Sequence, residues 1–341
     1  MIVTINDVAK EAGVSITTVS RVVNNNYPVK KETREKIEAA IKKLNYKPNA
    51  MARGLVTKKT SMVSVVVPGI TNLFFPTIVE AIEEYTKKRG YSISLCNTGG
   101  EYNIEKSLID NMIARQVDGI IAIDPSVENF KNKYFDEVAE IIPLVIINGA
   151  PNSYKCNFVC YDEEVGTREA LDYLISLNHR KIAFIRGTKS FSYDIKEKVY
   201  KETLRDNNIE YEKTINVGHG NSIEVVENTQ LKLKDVLNKE DRPTAMFACN
   251  DLMALGVMNV CNKLGLSVPE DVSVISCDNT LIANTSQPRL TSVDLHMEEI
   301  GKLAAEELLY LIEKEVSNKK KILLGTKLIV RESCTNVKDS L

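Results

Sequence analysis

The chain has 341 residues, enough for two or three domains around a substantial buried core. With 43% hydrophobic and 26% charged residues it is neither a disordered nor a fibrous sequence. Its formal charge of −2 hides an asymmetry: residues 1–60 hold twelve Lys/Arg against five acids, a balance of +7, while the other 281, with 32 against 41, balance at −9. Phosphate contacts, if any, therefore belong to the head. Charge alone fits a solvated basic face equally well. No apolar stretch approaches the roughly 18–20 residues that span a bilayer, and the N-terminus lacks the charged and apolar regions of a secretory signal. Seven cysteines with no C-x-x-C pair and no Cys/His cluster suit a reducing cytoplasm better than a disulfide framework or a metal site. The expectation is a cytoplasmic protein with no cofactor, no metal and no membrane contact.

Thr4 followed by Asp7 makes a capping box that opens a helix over residues 5–12. Gly13 stops it, and Ser15 is a good N-cap for a second helix running to about Asn24. Ile5, Val8, Ala9, Val14, Val19 and Val22 let the two helices cross over a small shared core. So short a turn matches helix-turn-helix spacing. The second helix has the composition of a reading helix. Ile16, Thr17 and Thr18 are small enough to bring backbone near base edges, and their methyls can pack on a thymine methyl. Arg21, one turn later, can reach guanine O6 and N7, whereas Ser15 and Ser20 suit phosphate. On spacing alone, Arg21 is equally well a surface arginine.

Residues 24–28 form a loop, and a third, amphipathic helix follows with Ile37, Ala40, Ile41 and Leu44 on its apolar face. Pro48 then suits the first turn of another helix, which has only about two turns before Gly54 and is marginal alone in water. Small residues (Ala50, Ala52, Gly54) would let it lie in a minor groove with Leu55 as an apolar wedge. Taken by itself, the segment reads as an ordinary linker.

From residue 62 the chain alternates β-branched runs with segments of helical length. Strands are expected at 63–67, 93–95, 119–123, 144–147, 158–160, 182–185, 245–248, 272–275, 290–293 and 327–330, with helices such as 76–89, 163–177, 252–264 and 297–313. That is a doubly wound parallel sheet, in a chain long enough for two. Ligands of such sheets bind beyond the strand C-termini. Asn72 and Phe74 follow the first strand, and Asp124, Asn148, Asn250 and Asp278 stand at or just past later strand ends. Each one separately is more simply a strand-end cap or turn former.

Three blocks, TINDVAKEAGVSITTVSRVVN, VKKETREKIEAAIKKLNYKPNAMARGL and SVVVPGITNLFF, closely resemble the lactose/galactose-repressor (LacI/GalR) family in order and spacing. The resemblance continues through VDGIIA, LNHRKIAFI, PTAMFACNDLMALG, GLSVPEDVSVISCDN and PRLTSV to about residue 333. It implies an all-α helix-turn-helix headpiece ahead of a periplasmic-binding-protein-like α/β effector domain of two lobes. It also implies a homodimer on a pseudo-palindromic operator in double-stranded DNA. By position, Ile16, Thr17 and Arg21 fall where relatives read major-groove bases, and Asn49, Ala52 and Leu55 fall on the minor-groove hinge helix. Thr4, Ser15, Thr18, Ser20, Asn24 and Tyr46 complete the expected DNA contacts. Effector contacts are implied at Phe74, Asn148, Lys196, Asn250 and Asp278, to which Asn72 and Asp124 are added from their strand-end positions.

The implied divisions are a DNA-binding domain at 1–47, a hinge and linker at 48–61, and an effector and dimerisation domain at 62–335. The N-lobe takes about 62–160 and 294–322, and the C-lobe about 162–290 and 324–333, with crossovers near Tyr161, Leu290 and Leu324. The chain departs from the family at several points. Lys30 and Lys31 stand where relatives often have a Ser-like cap for the third helix. Lys196 stands where many have arginine, Val199 where many have glycine, and Asn148 where many have aspartate. Lysine lacks the guanidinium fork, so the effector is not borrowed from a known member. Family habit favours repression with a carbohydrate effector. The acidic late helix, with Glu298, Glu299, Glu306 and Glu307, argues against docking a phosphorylated protein.

An enzyme would need machinery the sequence lacks: there is no G-x-G-x-x-G after the first strand, no P-loop and no G-x-S-x-G. His179, His219 and His296 are scattered, and His179, between a helix and a strand, reads as structural. A binding protein for uptake would need export, and an architectural DNA protein would not need some 280 residues of α/β body.

Overall fold

The computed structural model describes residues 3–24, 27–47, 59–149, 155–314 and 319–337. The chain divides into two compact units, residues 1–60 and 61–341.

In the first unit, α1 (Ile5–Ala12), α2 (Ile16–Asn24) and α3 (Lys31–Leu44) pack around Val8, Ala9, Val19, Val22, Ile37 and Ala40. Gly13, at φ +65°, ends α1 in the left-handed conformation that glycine adopts without strain. Asp7 accepts hydrogen bonds from the Thr4 N–H (2.8 Å) and hydroxyl (2.7 Å), fixing the start of α1. Lys30 occupies the N-cap of α3 and makes no side-chain cap, as expected of a lysine there.

The second unit holds two six-stranded sheets. The N-lobe sheet is wholly parallel, in the order β11 (Lys321–Leu324), β5 (Asn157–Tyr161), β4 (Leu144–Ile147), β3 (Gly119–Ile123), β1 (Met62–Val67), β2 (Ser92–Asn97). The C-lobe sheet runs β12 (Lys327–Ile329), β10 (Thr291–Asp294), β9 (Ser273–Asp278), β8 (Ala245–Ala248), β6 (Ile182–Arg186), β7 (Lys213–Asn216), with only β12 antiparallel. Central strands such as VVV and GIIAI are apolar throughout because helices cover both faces.

The chain passes between the lobes three times: after Tyr161, between β10 and the helix Met297–Lys314, and between Leu324 and Lys327. The second passage corrects the expectation of a crossover near Leu290. Thr291–Asp294 pairs in parallel with β9, so the chain stays in the C-lobe until Leu295 and His296. The helix Met297–Lys314 then lies against the N-lobe helix Phe74–Lys87 so closely that a Cβ on Gly301 would be 2.6 Å from the Ile78 carbonyl oxygen.

The seven cysteines are free, and no group of His, Cys, Asp and Glu fit to hold a metal occurs among the described residues. No described helix is long and apolar enough to cross a membrane. His179 is buried, and its ring nitrogens meet the Thr244 hydroxyl (2.9 Å), the Ser273 hydroxyl (3.0 Å) and the Thr335 carbonyl (3.0 Å). It joins strand starts to the C-terminal segment.

Candidate functional site

Two surfaces carry chemistry, one in each unit. On α2, Val19 and Val22 turn into the headpiece core, which leaves Ile16, Thr17 and Arg21 exposed. Ile16, at the start of α2, is 50% exposed. Ser15 caps the helix, accepting from the Thr18 N–H at 3.2 Å and sharing a hydrogen with the Thr18 hydroxyl at 2.8 Å. Asn24 donates to the Ser20 hydroxyl at 3.1 Å on the same side. Among the described residues no carboxylate pairs with Arg21. Its guanidinium instead lies 5.2 Å from the ring centre of Tyr27, itself 64% exposed, an arrangement that orients the fork without neutralising it. Tyr46 differs from the others: it is half-buried against the headpiece core, with its backbone N–H bonded to the Ile41 carbonyl. Asn49, Ala52 and Leu55 lie outside the described residues.

In the second unit the two lobes face each other over a cavity of about 820 Å³. Its walls are the loops that follow β1, β2 and β3 in the N-lobe and β6 and β7 in the C-lobe, the carboxyl ends of both sheets. The lobes touch across it. Lys189 pairs with Glu128 at 2.6 Å, the Ile223 N–H donates to the Thr71 hydroxyl at 3.2 Å, and the Ser190 hydroxyl reaches Asp124 at 3.4 Å. Gly69 approaches so near the Asn221 carbonyl oxygen that a Cβ would stand 2.5 Å from it.

The sequence-derived candidates separate into two groups. Asn72 and Asn250 are buried and already engaged: Asn72 accepts from the Phe74 N–H at 3.2 Å, while Asn250 caps the helix Asp251–Lys263 by accepting from Met253 and donates to the Gly220 carbonyl, both at 2.9 Å. Phe74 packs edge-on against Phe75 and Tyr161. Of the others, Asp124 lies on the cavity wall, and Asn148, Lys196 and Asp278 gather behind it. Asp124, Asn148 and Asp278 leave their strands with φ of +45°, +62° and +101°, conformations that Asp and Asn tolerate better than most and that concentrate at functional sites. Asn148 donates to the Tyr161 hydroxyl at 3.1 Å and reaches Asp124 at 3.5 Å. Lys196 is buried with its ammonium on the Ser192 hydroxyl (3.0 Å) and the Cys249 carbonyl (3.3 Å).

A residue that sequence reasoning missed completes this group. Glu163, first in the helix Glu163–Ser176, is buried 3.8 Å from the Lys196 ammonium. In the sequence it is one of three successive acids at a helix start, a common pattern. Only its place just after β5 could have marked it. Burial pushes the Asp124 carboxyl up to about 6, Glu163 adds to the push, and Lys196, Ser190 and Asn221 oppose it. Burial, then Asp251, raises Asp278 well above the usual carboxylate range. For Lys196 burial works the other way, but its acidic neighbours, Glu163 at 3.8 Å among them, raise it overall.

Comparison with known proteins accounts for both units. Residues 4–49 match the family model for bacterial regulatory proteins, lacI family, and residues 171–334 match a periplasmic binding protein-like domain. Catabolite control protein A of Priestia megaterium is 35% identical over 98% of this chain and 99% of its own length. The HTH-type transcriptional repressor PurR of Vibrio vulnificus is 34% identical over 98% and 99%. Among solved structures, the lac repressor dimer bound to operator and the anti-inducer ONPF superposes with a TM-score of 0.86 at 28% identity, over 98% of this chain and all of that one. These relatives are transcription regulators and not enzymes. The chain therefore belongs to the lacI family of bacterial regulatory proteins.

Proposed function

We propose that this DNA-binding transcription regulator represses by binding a pseudo-palindromic operator as a homodimer in the cytoplasm, and that a small molecule of carbohydrate class in the cleft controls its affinity. The observation that carries the DNA half is the exposed set Ile16, Thr17 and Arg21 over the buried face of α2. Ile16 and Thr17 offer methyls to thymine, Arg21 offers its fork to guanine, and Thr4, Ser15, Thr18, Ser20, Asn24 and Tyr46 position the helix on phosphates. Asn49, Ala52 and Leu55 are assigned to the minor groove at the operator centre. The functional divisions are 1–47, 48–61 and 62–335.

The cleft half rests on Asp124 at the cavity wall with Asn148, Lys196 and Asp278 gathered near it, acceptors and donors suited to adjacent hydroxyls, and on the buried aromatic pair Phe74 and Tyr161, whose hydroxyl accepts from Asn148. Effector binding shifts the lobes and thereby the operator affinity, a coupling between two sites of one chain. Replacing Arg21 by Ala should weaken binding to a selected operator by about 1–3 kcal/mol per half-site, roughly 5- to 150-fold. Discrimination should relax at one base pair in each half-site, with cleft ligands unaffected. Operator titration by fluorescence anisotropy reads this. Unchanged affinity and unchanged base preference would remove Arg21 from the reading set.

A further inference from the structure

Behind Asp124 on the cavity wall stand two further carboxylates, without the donors that buried carboxylates need. Glu163 is 4% exposed, and among the described residues neither of its side-chain oxygens meets a hydrogen-bond donor. Lys196, its one cation among the described residues, stands at 3.8 Å and gives two of its three N–H groups to Ser192 and Cys249. Asp278 is 5% exposed, and no donor reaches its carboxylate among the described residues. Asp124 accepts at 3.4 Å from Ser190, at 3.5 Å from Asn148, and from Asn221. Three carboxylates therefore share one ammonium. Asp251, as deeply buried, shows what a settled carboxylate looks like here: four donors stand at 2.6–3.0 Å.

The sign continues toward the mouth. The cavity wall carries Glu101 besides Asp124, while Glu105, Glu128 and Glu224 on the same wall already have partners in Ser126, Asn129, Lys189 and Ser222. A neutral sugar could donate hydroxyls to Asp124 and leave the excess charge uncompensated. An anionic one would add to it. Resting on the effector reading above, we infer that the ligand is a cation: a small hydroxylated amine of amino-sugar class, its ammonium against Asp124 with Glu163 and Asp278 behind.

Burial raises the Asp124 and Asp278 carboxyls, so these two can carry protons until a cation arrives. Asp124 is faced by Glu163, by Lys196 and Tyr193 from the helix Phe191–Asp206, by Asp278 from β9 and by Tyr161 from β5; both tyrosines stay protonated. An arriving ammonium replaces those protons, so affinity should rise with pH through about 6, where Asp124 ionises. The alternative is a network that keeps its protons and takes a neutral ligand.

The test is thermal unfolding of the full-length protein at neutral pH with glucosamine, galactosamine and mannosamine. Each is set against its N-acetyl form, its parent hexose and the hexose 6-phosphate. The expected result is a rise in melting temperature of several degrees with an amino sugar and none with its neutral or anionic counterparts. The shift should shrink as pH falls below about 6 and should be lost in Glu163→Gln and in Asp124→Asn, two variants of which either suffices if the other folds poorly. An equal or larger shift from an N-acetylated, neutral or phosphorylated compound overturns the charge assignment and leaves the effector cleft standing. No shift from any compound of the set counts against a small-molecule cleft, and the inference falls with it.

Discussion

Replacing Asp251 by Ala should destabilise the α/β body by about 3–5 kcal/mol, the range found when a buried charged acceptor is removed from its donors. Asp251 opens the helix Asp251–Lys263, and its carboxylate accepts from the Ser276 hydroxyl (2.6 Å), the Thr280 N–H and hydroxyl (both 2.7 Å) and the Ser292 hydroxyl (3.0 Å). One side chain thus ties a helix to β9, to β10 and to the turn between them. Alanine would leave four donors facing a hole too apolar to satisfy them. Asn at this position keeps the volume but turns one acceptor into a donor, so its loss should be smaller and still above about 1 kcal/mol. Urea unfolding followed by circular dichroism reads both. An Asp251→Ala loss below about 1 kcal/mol would mean that water replaces the carboxylate, and the network would not be a structural tie.

Lys196→Met should cost a comparable amount, about 3–5 kcal/mol, because it strips the one buried cation from Glu163 and Asp278. Adding Glu163→Gln should recover much of that loss, since a neutral amide needs no counter-charge. Two variants that are each local but jointly compensating separate this mechanism from simple loss of packing. The pH dependence supplies a second readout. Burial holds the folded Asp124 carboxyl at about 6 against an ordinary 3.8. The native state therefore keeps a proton that the unfolded chain has released, and that contribution is full below about 4 and is lost as pH rises through about 6. Removing the Lys196 charge raises the Asp124 carboxyl further and moves the upper edge of this window to higher pH. A melting temperature that does not change across the window in either protein would contradict the coupling of Asp124 to Lys196.

The parts of this molecule that were legible in its sequence are those where one local signal decides the structure. The capping box at Thr4, the stop at Gly13 and the cap at Ser15 give α1 and α2 their limits, and apolar runs such as GIIAI become central strands. The two strands that escaped, β7 and β11, are edge strands: KTIN and KILL alternate exposed with half-buried positions and owe their pairing to a neighbour rather than to their own composition. β11 pairs with β5 across some 160 residues, a partnership no local window contains. The same holds for the passage after β10, which the family resemblance placed near Leu290 and the parallel pairing with β9 moves to residues 295–296. In the cleft, strand-end position found Asp124, Asn148 and Asp278. It equally singles out Asn72 and Asn250, whose amides engage helix starts. Which hydrogen-bond partners each of the five has is set in three dimensions. Glu163 became visible only there.

That α2 reads a defined operator is tested most directly by selecting double-stranded DNA from a randomised pool with the full-length protein. The account predicts enrichment of a single pseudo-palindrome with two half-sites, and in Arg21→Ala weaker binding with the preference relaxed at one base pair of each half-site. A pool that stays random in sequence while the protein still binds DNA would contradict it.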